Sequence, residues 1–84
     1  MPPDSTQRRQ QRVDFMKRLY QNVDASVSEF VSAFEIGDEL GIPAADCARL
    51  IEYLQEKQYI HIDDFRLGII RLTAQGVDYV EAST

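Results

Sequence analysis

The sequence predicts a mainly α domain carrying a small β-hairpin, and three observations predict it. Apolar residues recur at helical spacing in three successive segments. The period then drops from 3.6 to 2 around residues 59–62 and again around 69–72, with a polar stretch between. Residues that cap or break helices (Ser32, Gly41, Pro43 and Thr73) fall at the junctions.

The chain of 84 residues has room for one hydrophobic core and not for two. With 44% apolar and 10% aromatic residues it is too hydrophobic for a disordered segment. A domain this small hides only about 60% of the surface of its unfolded chain, so modest stability is expected. Residues 1–5 read as a loose tail with two prolines, Asp4 or Ser5 serving as a helix cap, and the domain proper spans 6–82. No run approaches the roughly 18 apolar residues of a membrane span, and Met1–Ser5 opens no secretory apolar segment. Both point to a cytoplasmic chain without membrane contact.

The first helix is expected from about Thr6 to between Asn22 and Ala25. Val13, Met16, Tyr20 and Val23 form its apolar stripe, widened by Phe15 and Leu19. Six apolar residues between 13 and 23 exceed what one small core needs, which would leave Phe15 and Tyr20 uncovered for a homodimer. Residues 26–31 read as a loop or short extended piece anchored by Val27, Phe30 and Val31. Ser32-Ala33-Phe34-Glu35 has the form of a capping box, with Ser32 accepting from the amide three residues on and Glu35 reaching back. The short helix that follows stops at Gly41, which tolerates the left-handed backbone of a helix end. Proline suits the first position of the next helix, so the third helix begins at Pro43 or Ala44 and runs to Lys57. Its buried stripe is Cys47, Leu50, Ile51 and Leu54. Tyr53 borders that stripe, and Arg49, Glu52, Gln55 and Glu56 face solvent. Tyr59-Ile60-His61-Ile62 alternates as a strand, 63–68 connects a hairpin, and 69–72 returns with Ile70 and Leu72 inward. Thr73 caps a last helix that turns Val77 and Val80 to the core.

The order helix, helix–tight turn–helix, hairpin, helix carries a resemblance over residues 8–82. Glu35-Ile36-Gly37-Asp38-Glu39-Leu40-Gly41-Ile42 matches "apolar, two variable, Leu-Gly-Ile". Leu50-Ile51-Glu52-Tyr53-Leu54-Gln55-Glu56-Lys57 followed by Tyr59-Ile60 matches "Leu, two variable, Leu, three variable, Leu-Ile". Leu72-Thr73-Ala74-Gln75-Gly76 matches "Leu-Thr, two variable, Gly". In these segments the chain resembles the winged helix-turn-helix family found in small prokaryotic transcription regulators. The expected architecture is then a three-helix core, a two-stranded wing and a short C-terminal helix. Gln58 departs from the pattern, standing where the family usually has glycine. A left-handed backbone there would cost roughly 1 kcal/mol.

The resemblance implies a DNA-binding module of a transcriptional regulator, with helix 44–57 in the major groove and the wing on the backbone or minor groove. Arg49 and Gln55 are then the base-reading candidates, Phe65 and Arg66 the wing-tip contacts, and Arg8, Arg9 and Arg12 the phosphate contacts. The charge pattern argues against a nucleic-acid partner. Residues 7–18 carry five basic side chains against one acidic, a charge of +4, but residues 24–84 carry four against twelve, a charge of −8. Helix 44–57 itself has two basic against three acidic residues, and Asp63 and Asp64 flank the wing tip. The alternative is an acidic protein–protein interaction module that does not bind DNA, alone or within a larger protein. Phe65 then either folds back over the hairpin or stands out as a contact residue. Cys47, the single cysteine, reads as a small buried hydrophobe. His61 has no companions for a metal site, and no nucleophile–base pair or phosphate-cradling loop is visible, so neither cofactor nor enzymatic activity is expected.

Overall fold

The computed structural model describes residues 5–83. Its elements are α1 (Ser5–Asn22), β1 (Val31–Ser32), α2 (Ala33–Glu39), α3 (Ala44–Glu56), β2 (Ile60–Asp64), β3 (Ile69–Leu72) and α4 (Ala74–Ala82). The fold is mainly helical, with a small antiparallel sheet in the order β1-β3-β2. Residues 1–4 of the expected tail, including the candidate cap Asp4, lie outside the described residues, and Ser5 already belongs to α1. The sheet has one strand more than the hairpin read from the sequence. Val31 pairs with Ile70 and Ser32 with Ile69, so the extended piece before α2 closes the free side of β3. Two residues carry no period of their own. Only pairing with β3 makes them a strand.

The core gathers residues from every helix and from the hairpin: Phe15, Met16, Leu19 and Val23; Ala33 and Ile36; Cys47, Leu50, Ile51 and Leu54; Ile60, Ile70, Leu72 and Val80. The inward stripe of α3 is the one its periodicity predicts. On α1 four residues of the expected stripe, Phe15, Met16, Leu19 and Val23, are buried. Phe15, expected to be left uncovered, is 0% exposed, whereas Val13 and Tyr20 are only half-buried. Two stripes separated by one residue satisfy the same helical period. The one carrying Phe15 and Leu19 places the bulkier pair inside. The Tyr20 hydroxyl donates to Glu81 Oε2 at 3.0 Å, joining α1 to α4, and this hydrogen bond raises the tyrosine's pKa. The apolar surface expected on α1 for a homodimer is therefore largely internal.

Three helix ends share one geometry. The amide two residues past the cap donates to the carbonyl five residues back, and the amide before it closes a tighter turn inside. The pairs are Ala25 to Tyr20 (3.0 Å) and Asp24 to Gln21 (3.3 Å) after α1, and Ile42 to Gly37 (2.7 Å) and Gly41 to Asp38 (3.1 Å) after α2. After α3 they are Tyr59 to Leu54 (3.0 Å) and Gln58 to Gln55 (2.8 Å). Each is a Schellman ending and requires a left-handed residue. Gly41 supplies it after α2 with φ +73°, but Asp24 (φ 49°) and Gln58 (φ 66°) do so with a Cβ attached. The end of α3 has kept its glycine-type backbone despite Gln58.

Between α2 and α3, Pro43 stands at the N-cap and not at the first helical position, because its ψ of 150° is extended. Its carbonyl accepts from Cys47 N at 2.8 Å. Gly37 lets the two helices close up, since a Cβ there would lie 3.0 Å from Cys47 Sγ. The Cys47 thiol donates to Ala33 O at 3.3 Å, and burial pushes its pKa up.

The segment Leu72-Thr73-Ala74-Gln75-Gly76 clamps α4 onto the end of α3. Thr73 Oγ1 accepts from Gly76 N (3.0 Å), capping α4, and donates to Gln58 O (2.6 Å). Gln75 Nε2 donates to Lys57 O at 2.9 Å, and Thr73 N to Tyr59 O at 3.2 Å. Gly76 is required by this approach, because a Cβ would run into the Tyr59 carbonyl. Tyr59 and Tyr79 stack beside it with centroids 4.4 Å apart. The clamp fixes where the hairpin leaves α3, and therefore how the hairpin stands against its exposed side.

Candidate functional site

The exposed side of α3 and the adjoining arm of the hairpin enclose an open groove of about 760 Å³. Arg49, Glu52, Tyr53, Gln55 and Glu56 line it from α3, and Ile62, Asp63 and Phe65 from the hairpin. Gln55 sets its width: Oε1 accepts from Ile62 N at 2.9 Å, tying β2 to α3. A β-bulge shapes the opposite wall. Ile62 pairs with Ile70 and Asp64 with Ile69, leaving Asp63 as the extra residue. Successive strand residues normally point to opposite faces, and the bulge re-aims one of them, so that Ile62 and Asp63 line the same groove. At the turn, Asp64 Oδ1 accepts from Leu67 N (3.1 Å), and Gly68 is left-handed (φ +69°) against the Phe34 ring. Phe65 does not fold back over the hairpin. It stands 46% exposed at the mouth of the groove.

The electrostatics of the groove are one-sided. Its lining side chains include acidic Glu52, Glu56 and Asp63 against basic Arg49, a charge of −2, while the Arg12 and Lys57 cations adjoin it over the Tyr53 ring. Arg49 leans toward Asp46 at 3.8 Å while its side chain remains 82% exposed. Among the described residues none of the three groove carboxylates has an ion-pair partner. The apolar component is Ile62 with two partly exposed rings, Tyr53 and Phe65.

The seven residues singled out from the sequence fall into three places. Arg49, Gln55 and Phe65 belong to the groove, and Arg66 is exposed beside Phe65 at the turn. Gln55 has its carbonyl oxygen committed to the Ile62 amide. Arg12 is engaged inside the domain, with its guanidinium 3.8 Å from the centre of the Tyr53 ring, stitching α1 to α3. Lys57 Nζ approaches the same ring at 5.8 Å. Arg8 and Arg9 are exposed on the first turns of α1. Basic charge on α1 is further consumed by Arg18, which pairs with Glu39 at 3.0 Å.

Tyr53, Ile62 and the three carboxylates are the groove residues that the sequence reading did not assemble into a site. A signal existed for Glu52 and Glu56, four residues apart and thus on one helical face. Nothing local marks Asp63, whose orientation depends on the bulge, or Tyr53, whose ring partner lies 41 positions upstream at Arg12.

Among the described residues no group of three His, Cys, Asp or Glu side chains could hold a metal ion, and no helix is long and apolar enough to cross a membrane. Comparison of the chain with models of known families, with curated proteins and with solved structures finds no match.

Proposed function

We propose that the chain is a winged helix-turn-helix recognition module, and that its α3–hairpin face docks on protein rather than on DNA. The element order α1-β1-α2-α3-β2-β3-α4, with β1 closing the hairpin, supports the winged-helix reading. In that architecture α3 is the recognition helix and 60–72 the wing. The observation that carries the functional reading is the groove charge. Three carboxylates, none ion-paired among the described residues, occupy the face that a phosphate backbone would approach, and like charges there repel. Two of the residues expected to touch DNA are also engaged within the fold, Arg12 on Tyr53 and Gln55 on Ile62. A non-catalytic, cofactor-free binding role fits this surface.

Exposure of Arg8, Arg9, Arg49 and Arg66 favours a second reading, in which these side chains hold the phosphates of a DNA duplex and the domain is a transcriptional regulator. Fluorescence anisotropy of a labelled mixed-sequence duplex separates the two. Protein docking predicts no saturable binding even at low salt. The DNA reading predicts binding that weakens with salt along a log–log slope of several units and is lost in Arg49→Glu/Arg66→Glu.

A further inference from the structure

We infer that the groove between α3 and the hairpin takes an arginine-bearing segment of a partner protein. The inference rests on the protein-docking reading above and names the chemistry of the occupant. Glu52 and Glu56 rise from one face of α3, and Asp63 faces them from the bulge of β2. Carboxylates on two walls, none of them ion-paired among the described residues, are complementary to cations entering between them. A carboxylate accepts a guanidinium through two parallel hydrogen bonds, which an ammonium cannot match.

The rings select in the same direction. Phe65 leaves aromatic surface exposed within the groove, and guanidinium stacks on such a face; Tyr53 adds only the ring surface that Arg12 does not cover. Tyr53 already makes such a contact within the domain, the Arg12 guanidinium lying 3.8 Å from its ring centre. Arg49 lines the groove too, but its guanidinium lies 3.8 Å from Asp46 and is ion-paired with none of the three groove carboxylates. A groove of about 760 Å³ suits a few side chains of a peptide segment.

The test is a titration of the isotopically labelled, full 84-residue chain with a nonapeptide of alternating arginine and serine, followed by amide chemical shifts. Its counterpart has citrulline in place of arginine, which keeps the shape and removes the charge. Saturable shifts confined to residues 49–56 and 62–65, absent with the citrulline peptide, are the expected result. Glu52→Gln/Glu56→Gln/Asp63→Asn should weaken binding at least tenfold, and Phe65→Ala at least threefold. Glu29→Gln/Asp38→Asn/Asp78→Asn removes the same charge elsewhere and should change it less than twofold. Equal losses from the two triple variants would reduce the effect to net charge and overturn the inference. So would shifts scattered over the surface, or self-association lost in Arg8→Ser/Arg9→Ser, which would make a second copy the occupant. If neither peptide nor duplex binds, the arginine segment is wrong while protein docking stands. If the duplex binds, the docking reading itself fails.

Discussion

Replacing Gln58 by glycine should make the domain more stable, and by an amount the backbone geometry specifies. Gln58 holds φ 66° at the end of α3, where the Schellman bonds from Tyr59 to Leu54 and from Gln58 to Gln55 leave it no alternative. A residue with a Cβ in the left-handed region carries about 1–2 kcal/mol of steric cost. Glycine removes that cost but adds roughly 0.5–1 kcal/mol through the larger entropy of its unfolded chain. The Gln58 side chain is exposed, and its backbone carbonyl, which accepts from Thr73 Oγ1, survives the substitution. The net expectation for Gln58→Gly is a gain between about 0 and 1.5 kcal/mol, centred on about 0.5–1 kcal/mol. For a domain of this size the central range raises Tm by about 2–8 °C. Urea unfolding followed by circular dichroism measures it as a shift in midpoint at constant slope. Gln58→Ala should be close to neutral, because alanine keeps the Cβ, and Gln58→Val should lose stability through its branched side chain. A lowered midpoint for Gln58→Gly would refute the strain argument. It would mean that α3 ends in some other way.

Gly76→Ala should prevent stable folding or cost more than about 3 kcal/mol, because its Cβ would meet the Tyr59 backbone and not a movable side chain; loss of the cooperative thermal transition is the readout. Thr73→Val keeps the side-chain size but removes both the α4 cap and the bond to Gln58 O, and should lower stability by about 1–3 kcal/mol in urea. Cys47 should resist alkylation in the native state and react at once in denaturant, since it is fully buried with its pKa pushed up. Stability should also fall at alkaline pH. The folded pKa values of Cys47, Tyr20 and Tyr79 all lie above their ordinary values, so the folded state holds these protons more tightly. Their contribution is complete below about pH 8.5 and is lost as pH rises through the thiol and phenol ranges. Thermal unfolding scans between pH 7 and 11 check the sign.

Most of the backbone plan is legible in the residues because it is written locally. Ser32 accepts from Glu35 N at 3.4 Å, Gly41 ends α2 in the left-handed conformation, and Thr73 caps α4. The stripe Cys47-Leu50-Ile51-Leu54 faces inward because a single helical face on α3 holds all its strong apolar residues. On α1 the same reasoning misplaced Phe15. Two overlapping stripes are available there, and α2 and α4 decide between them through tertiary packing. The strand Val31–Ser32 escaped for a related reason, since two residues acquire extended structure from β3 and not from their own pattern. The groove was the least legible part. Its charge can be counted in the sequence, but its walls come from residues 49–56 and 62–65. They meet only because the Thr73–Gly76 clamp and the Gln55–Ile62 bond set the hairpin against α3. Arg12 looked like a free cation on a basic helix, and only the juxtaposition of α1 with Tyr53 removes it from that role.

On the proposed reading the α3–hairpin face takes protein and not phosphate. Amide chemical shifts of the labelled domain, recorded at low salt as a mixed-sequence duplex is added, test it at the face itself. The amides of residues 49–56 and 62–66 should stay in place at every duplex concentration. Saturable, salt-sensitive shifts at Arg49, Gln55 and Arg66 would contradict it and establish this face as a DNA-binding surface.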